Sequence, residues 1–209
     1  MKPLLFMTEM PKDAQEKMLF VALNLFTSKG FKETSILEVV EQARVSKTTF
    51  YNHFNSKEEL LVSLFKQLAE EIIEEVEQAV YKEERMAYKA FAGIHRYIEI
   101  CLTRISIAQL LLVSSVGVSQ AVEEVRRDVH KRFADLFYGT VRTGLSETVT
   151  DEEMKIVAQA MVGAINEVVI QKLFESEKEI ELDRLARLLN RVVVGAFANL
   201  ITKNTTVHI

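Results

Sequence analysis

The stretch Thr34–Leu61, TSILEVVEQARVSKTTFYNHFNSKEELL, decides the fold. Ser35 followed three residues later by Glu38 is a capping box that opens a short helix, with Ile36, Val39, Val40 and Ala43 on its inner face. Ser46 can cap a second short helix that turns Phe50 and Phe54 inward, and Ser56 with Glu59 opens a long one. Two short helices joined by a tight turn, the second carrying polar and basic side chains, form a helix-turn-helix, which sets a few side chains against DNA.

With Phe50 and Phe54 turned in, a period of 3.6 turns Lys47, Thr48, Tyr51 and Asn52 outward. Asn can bond adenine through both amide atoms, Lys can reach guanine or phosphate, and a Thr methyl can meet a thymine methyl. Tyr51, His53, Lys57 and the hydroxyls of Thr34 and Ser35 suit phosphates, which fix register without carrying sequence information. Arg44 in the turn, with Ser46 and Thr49 at the start of the second helix, completes the candidate DNA-binding set. Each of these residues alone is ordinary on a solvated helix; their combination with the caps and the two phenylalanines makes the reading specific. Leu19, Phe26, Phe31, Ile36, Val40, Val45, Phe50 and Phe54 make one small core for three short helices.

The segment from Leu19 to Leu61 resembles the N-terminal domain of the TetR (tetracycline-repressor-type) regulators. ALNLF at 22–26, GF at 30–31, TS at 34–35, ARVSKTTFYNHF at 43–54 and SKEEL at 56–60 follow that family's pattern in order and spacing. The resemblance implies that Lys47, Thr48 and Asn52 face bases, and that Thr34, Tyr51, His53 and Lys57 hold phosphates. It departs at Arg44, where the family has Gly after the first short helix. A residue past a helix end often takes φ > 0, at a cost of about 1 kcal/mol for a non-glycine side chain.

The rest of the chain reads as further helices. Both prolines, Pro3 and Pro11, precede residue 12, so no later segment is barred from helix on that ground. Leu19, Ala22, Leu23 and Phe26 mark a helix over 12–29, stopped by Gly30. The stripe Leu60, Leu61, Leu64, Leu68, Ile72, Val76 and Val80 implies a fourth helix of about 25 residues. Amphipathic segments follow at roughly 84–103, 105–116, 119–144, 151–175 and 181–202. Thr150 with Glu153 is a capping box for the next to last, and the tail Lys203–Ile209 is expected to fray. The expectation is all-α: nine helices in a TetR-like fold, a helix-turn-helix DNA-binding domain over 1–55 and a helical ligand-binding and dimerisation domain over 56–209.

Bulk properties agree with a globular, cytoplasmic protein. The 209 residues are 48% hydrophobic and 27% charged, and the single cysteine, Cys101, excludes an internal disulfide and reads as core. The net charge of −4 divides unevenly, with +2 between Ser28 and Lys57 and −6 over the remainder. Ile105–Val122 holds no charge, but its serines, glutamines and Gly117 make a buried, broken helix the reading rather than a membrane span.

An enzyme is not expected. His53, His95, His130 and His208 are scattered, and no metal-ligand spacing, nucleophile motif or phosphate loop is present, so neither cofactor nor metal is expected. The last two long helices are apolar around more than one stripe, beyond what a monomer core uses, and the resemblance implies a two-fold homodimer built on them. Its two heads would lie about 34–36 Å apart on a near-palindromic operator. Between reader and dimer helices, a pocket is expected from Phe65, Leu68, Ile72, Phe91, His95, Ile98, Leu102, Leu110, Leu111, Phe133 and Phe137, with His95, Gln109 and Asn166 as polar points. GAINEVVIQ at 163–171 and LARLLNRVVVGAF at 185–197 also resemble the fatty-acid-responsive members of the family, which implies an acyl-CoA or long-chain lipid effector. The alternative is a ligand-independent architectural DNA binder. A membrane-surface bundle would need a cationic amphipathic helix, and none is found.

Overall fold

The computed structural model describes residues 3–142, 150–175 and 181–201. The tail from Lys203 and the outermost residues of two expected helices lie outside them. Among the described residues there are nine α-helices and no strand: α1 (Ala14–Ser28), α2 (Ile36–Ala43), α3 (Lys47–His53), α4 (Lys57–Lys82), α5 (Met86–Thr103), α6 (Ile105–Gln109), α7 (Gln120–Arg142), α8 (Asp151–Phe174) and α9 (Leu182–Ile201). The expected all-α fold is present.

Local chemistry sets most of the ends. Asp13 caps α1 by accepting from the amides of Gln15 and Glu16, at 2.9 and 3.0 Å. Ser35 with Glu38 and Thr150 with Glu153 form complete capping boxes on α2 and α8. At α4 the box is displaced: Ser56 accepts from the Glu59 amide, but the Glu59 carboxylate reaches back to the amide and side chain of Asn55. Those two bonds lower the Glu59 carboxyl below its ordinary range.

Two compact units result, Met1–Ile73 with Cys101–Arg127, and Glu74–Ile100 with Asp128–Ile209. α6 packs on α1 and so joins the helix-turn-helix, and α4, α5 and α7 each contribute to both units. The first unit buries Leu19, Phe26, Val40, Phe50 and Phe54, with the rings of Phe50 and Phe54 5.7 Å apart. Phe31, Ile36 and Val45 complete this core only half-buried, Phe31 meeting Phe26 edge-on at 5.3 Å.

Two features of this unit have no counterpart in the sequence reading. A 3-10 turn at Leu4–Phe6 buries Leu4 and Leu5, and their amides donate to the two carboxylate oxygens of Glu71 at 2.8 and 2.7 Å. The single helix expected over 105–116 is instead α6 followed by a π turn at Leu110–Ser114, where the Ser115 amide donates to the Leu110 carbonyl, before the chain reverses at Gly117 with φ 72°. The Leu111 carbonyl in that wide turn accepts from the Arg126 guanidinium at 2.6 Å and from the Ser115 hydroxyl at 3.1 Å. Ile105–Val122 is therefore broken, as the glycine and serines imply.

The second unit packs α8 against α9. By length and composition α8 is apolar enough to cross a bilayer, yet only 28% of its apolar window is buried within the chain. Exposed Ile156, Ala160, Glu167 and Phe174, with half-buried Gly163 and Ile170, recur at alternating steps of four and three, the spacing of a helix–helix seam.

Candidate nucleic-acid interface and ligand cavity

The helix-turn-helix is built by its turn. Val45 donates to the Val40 carbonyl and Arg44 to that of Glu41, the paired bonds of a Schellman ending, with Arg44 left-handed at φ 54° and ψ 47°. Among the described residues it is the one non-glycine with positive φ. The turn therefore keeps its geometry at the expense of side-chain strain. Arg44→Gly is expected to raise stability by about 1 kcal/mol and the melting temperature by several degrees, measured by thermal denaturation. An unchanged or lower melting temperature would mean that the Arg44 side chain offsets the strain.

From this turn α3 presents Lys47, Thr48, Tyr51, Asn52 and His53 to solvent, while Phe50 is fully buried beneath. Ser46 caps α3 through the Thr49 amide at 2.9 Å and shares a 2.8 Å bond with the Thr49 hydroxyl. These two hydroxyls hold each other and the helix start, with Ser46 exposed and Thr49 half-buried. Ser35 is exposed at the start of α2, its hydroxyl engaged with Glu38. The Lys29 ammonium, followed by the Ser35 amide and hydroxyl, holds the Glu38 carboxyl at about 2, down from an ordinary 4.5.

Two expected phosphate anchors sit elsewhere. Thr34 is 1% exposed and its hydroxyl donates to the Gly30 carbonyl at 2.8 Å, which closes the α1–α2 turn where Gly30 takes φ 93°. Lys57 extends back over the same turn, its ammonium 4.4 Å from the centre of the Phe31 ring and bonded to the carbonyls of Phe31 and Thr34 at 2.7 and 2.8 Å, with Lys32 at 3.3 Å. An ammonium has three donors, and all are engaged here. Lys57 thus ties the first turn of α4 to the turn between α1 and α2. Thr34 and Lys57 both brace the turn that leads into α2.

The cavity in the structure differs in lining from the expected pocket. An apolar cavity of about 30 Å³ lies in the second unit, lined by Val76 and Val80 of α4, Ala90, Gly93, Ile94 and Tyr97 of α5, Phe133, Leu136, Phe137 and Thr140 of α7, and Val162, Ile165 and Asn166 of α8. Of the expected lining only Phe133, Phe137 and Asn166 reach it. Phe65, Leu68, Ile72, Leu110 and Leu111 are buried in the first unit, with Leu102 and Gln109 half-buried there, because α6 folds onto α1. Ile98 is fully buried on another side of α5, and Phe91 and His95 face α9, His95 lying 3.5 Å from Asp183. The polar point is a pair: the Tyr97 hydroxyl donates to the Asn166 side-chain oxygen at 2.6 Å, and its ring meets Phe133 edge-on at 5.3 Å. Tyr97 was legible as the end of the stripe Ala90, Gly93, Ile94 and Tyr97, spaced i, i+3, i+4 and i+7. Gly93 lets α5 approach α4, since a Cβ there would lie 2.8 Å from a Val80 methyl. Among the described residues no three His, Cys, Asp or Glu side chains gather as metal ligands would.

Comparison with known proteins places this geometry. Residues 19–64 match the family of bacterial regulatory proteins named for tetR. A fatty acid metabolism regulator protein of Bacillus subtilis is 21% identical over 183 residues, covering 85% of this chain and 92% of that protein. The fold is shared with the fatty acid degradation regulator FadR of Bacillus halodurans, at a TM-score of 0.74 and 15% identity over 90% of this chain and 97% of that one. It is shared also with FadR of Bacillus subtilis, solved in complex with stearoyl-CoA, at a TM-score of 0.72 and 18% identity over 86% and 97%. The match runs from within α1 to the first turns of α4, the whole helix-turn-helix with its exposed α3, so residues 19–64 form a DNA-binding domain of the tetR type.

Proposed function

We propose that the chain is a cytoplasmic homodimeric repressor, released from a near-palindromic operator by a hydrophobic or amphipathic effector, with a long-chain fatty acyl-CoA as first candidate. The observation that carries the effector reading is the apolar cavity against Val76 and Val80, near the far end of the helix whose first turn holds Lys57. The stearoyl-CoA complex of the B. subtilis relative supports the choice of ligand class. Lys47, Thr48 and Asn52 are the proposed base readers; Tyr51 and His53, with Ser35 and Arg44 at the rim, are the proposed phosphate contacts.

At about 30 Å³ the cavity holds about two water molecules, a tenth or less of a typical ligand pocket. An acyl chain must therefore spread α4, α5, α7 and α8 to enter. That displacement is the proposed switch. Because Lys57 joins α4 to the turn before α2, a pivot of α4 carries the reading helix with it and shifts the operator-competent population. The same small volume favours the second reading, a ligand-independent DNA binder.

A gel shift with the chain's own upstream DNA separates the two. Palmitoyl-CoA is expected to weaken the complex at least tenfold, the minimum for a coupling of about 1.4 kcal/mol, while free coenzyme A leaves it unchanged. Operator affinity that stays constant with palmitoyl-CoA, palmitate and their longer homologues at saturation sinks the effector reading and leaves the architectural one.

A further inference from the structure

We infer that a solvent-open groove between α5 and α9 is a binding site for a nucleotide-sized phosphate ester carrying an aromatic ring, separate from the apolar cavity. Tyr88, Phe91 and His95 recur on α5 at i, i+3 and i+7, and Arg184, Arg187 and Arg191 recur at the same spacing on α9. Tyr88 and Phe91 therefore line, with the three arginines, a groove of about 560 Å³, within the range of small-molecule sites. Tyr88 and Phe91 point about 140° around α5 from the cavity stripe of Ala90, Gly93, Ile94 and Tyr97, so the two sites use different sides of the helix.

The arginines divide their work. Arg187 lies 5.2 Å over the Phe91 ring and forks onto Asp183 at 2.7 and 3.0 Å, and Asp183 also faces His95. Arg187 is thereby held as part of the wall, and the Asp183 charge is matched. Arg184 and Arg191 are exposed and carry no ion pair among the described residues, which leaves two guanidinium forks for phosphate oxygens. Glu181 stands exposed at the rim as the remaining carboxylate. Asn190 adds a third observation: its side-chain oxygen is the one buried side-chain polar atom without a partner among the described residues. A rotation of that amide offers an acceptor to the exocyclic amino group of a base such as adenine. Tyr88, on the same wall, carries the Arg85 guanidinium 4.1 Å over one face of its ring, and its 45% exposure leaves the other face for stacking.

Calorimetric titration of the full chain with ADP, pyrophosphate and adenosine tests the assignment. ADP is expected to bind about tenfold or more tightly than either half-ligand. The double substitution Arg184→Ala with Arg191→Ala is expected to weaken ADP about tenfold or more while sedimentation and melting temperature stay those of the parent, the control required because both arginines share an α9 row with Leu188 and Gly195. Tyr88→Ala should weaken ADP and leave pyrophosphate unaffected. Pyrophosphate binding as tightly as ADP, the double variant binding ADP like the parent, or no heat with any of the three at millimolar concentration each overturns the proposal.

Discussion

Phe50→Ala is expected to abolish operator binding while the unit holding the cavity stays folded. Phe50 is fully buried, packed against Phe54 at 5.7 Å and against the edge of Tyr51 at 5.3 Å. Truncating a buried phenylalanine costs about 3–5 kcal/mol, from lost transfer energy and the hole left behind. The whole stability of a domain is about 5–15 kcal/mol. Here the loss falls on helices of eight and seven residues, too short to hold a helical state without packing. The exposed set Lys47, Thr48, Tyr51 and Asn52 keeps its order only while Phe50 anchors the face beneath it. Hydrogen exchange by mass spectrometry should show α2 and α3 unprotected, with α8 and α9 as in the parent, and the gel shift should show at least a hundredfold loss of operator affinity, the equivalent of about 2.8 kcal/mol. Retention of affinity within tenfold would show that the core beneath α3 is not what presents it.

That prediction rests on residues that were readable in advance, and the reason is their locality. Caps, turn residues and the inward pair Phe50 and Phe54 act over three to five positions, so spacing alone reveals them. Ser35 with Glu38 and Thr150 with Glu153 are both of this kind. Glu59 shows how narrow the margin is, since its carboxylate reaches one residue farther back than a capping box requires.

What escaped reading depends on distant partners. Lys57 resembles a surface lysine in the motif, yet its ammonium lies on carbonyls 23 to 26 residues earlier in the chain. Glu71 meets amides 66 and 67 residues before it. Periodicity could place Phe65, Leu68 and Ile72 inside but not say which interior they fill, because the return of α6 onto α1 assigns them to the reading unit. A gap in a close-packed interior is a property of four helices meeting, and no single stripe encodes it.

The second large effect is expected on the outer face of α8 and α9. Ile156 and Phe174 on α8 are 58% and 60% exposed, and Leu188 and Val192 on α9 are each 49% exposed. Small residues, Ala160, Gly163 and Gly195, lie in the same rows and permit close helix approach. We propose that a second copy covers these rows, each α8 and α9 meeting its symmetry mate across a two-fold axis. Leu188→Glu with Val192→Glu then places two carboxylates from each copy in the seam, where desolvation and like charge both oppose assembly. The monomer should tolerate the change, because both side chains already face solvent.

On the proposed near-palindromic operator the consequence is magnified. In the dimer, the first head to bind holds the second at high effective concentration over its half-site, an avidity gain of about 10²–10⁴. The double variant loses that gain while each head keeps its own contacts. Sedimentation should therefore report a monomer with an unchanged helical spectrum, and operator affinity should fall by about 10²–10⁴. Affinity for a single half-site should match the parent, which distinguishes lost pairing from a damaged reader. A variant that still sediments as a dimer, or a monomer that binds the full operator as tightly as the parent, would place the functional interface elsewhere on the chain.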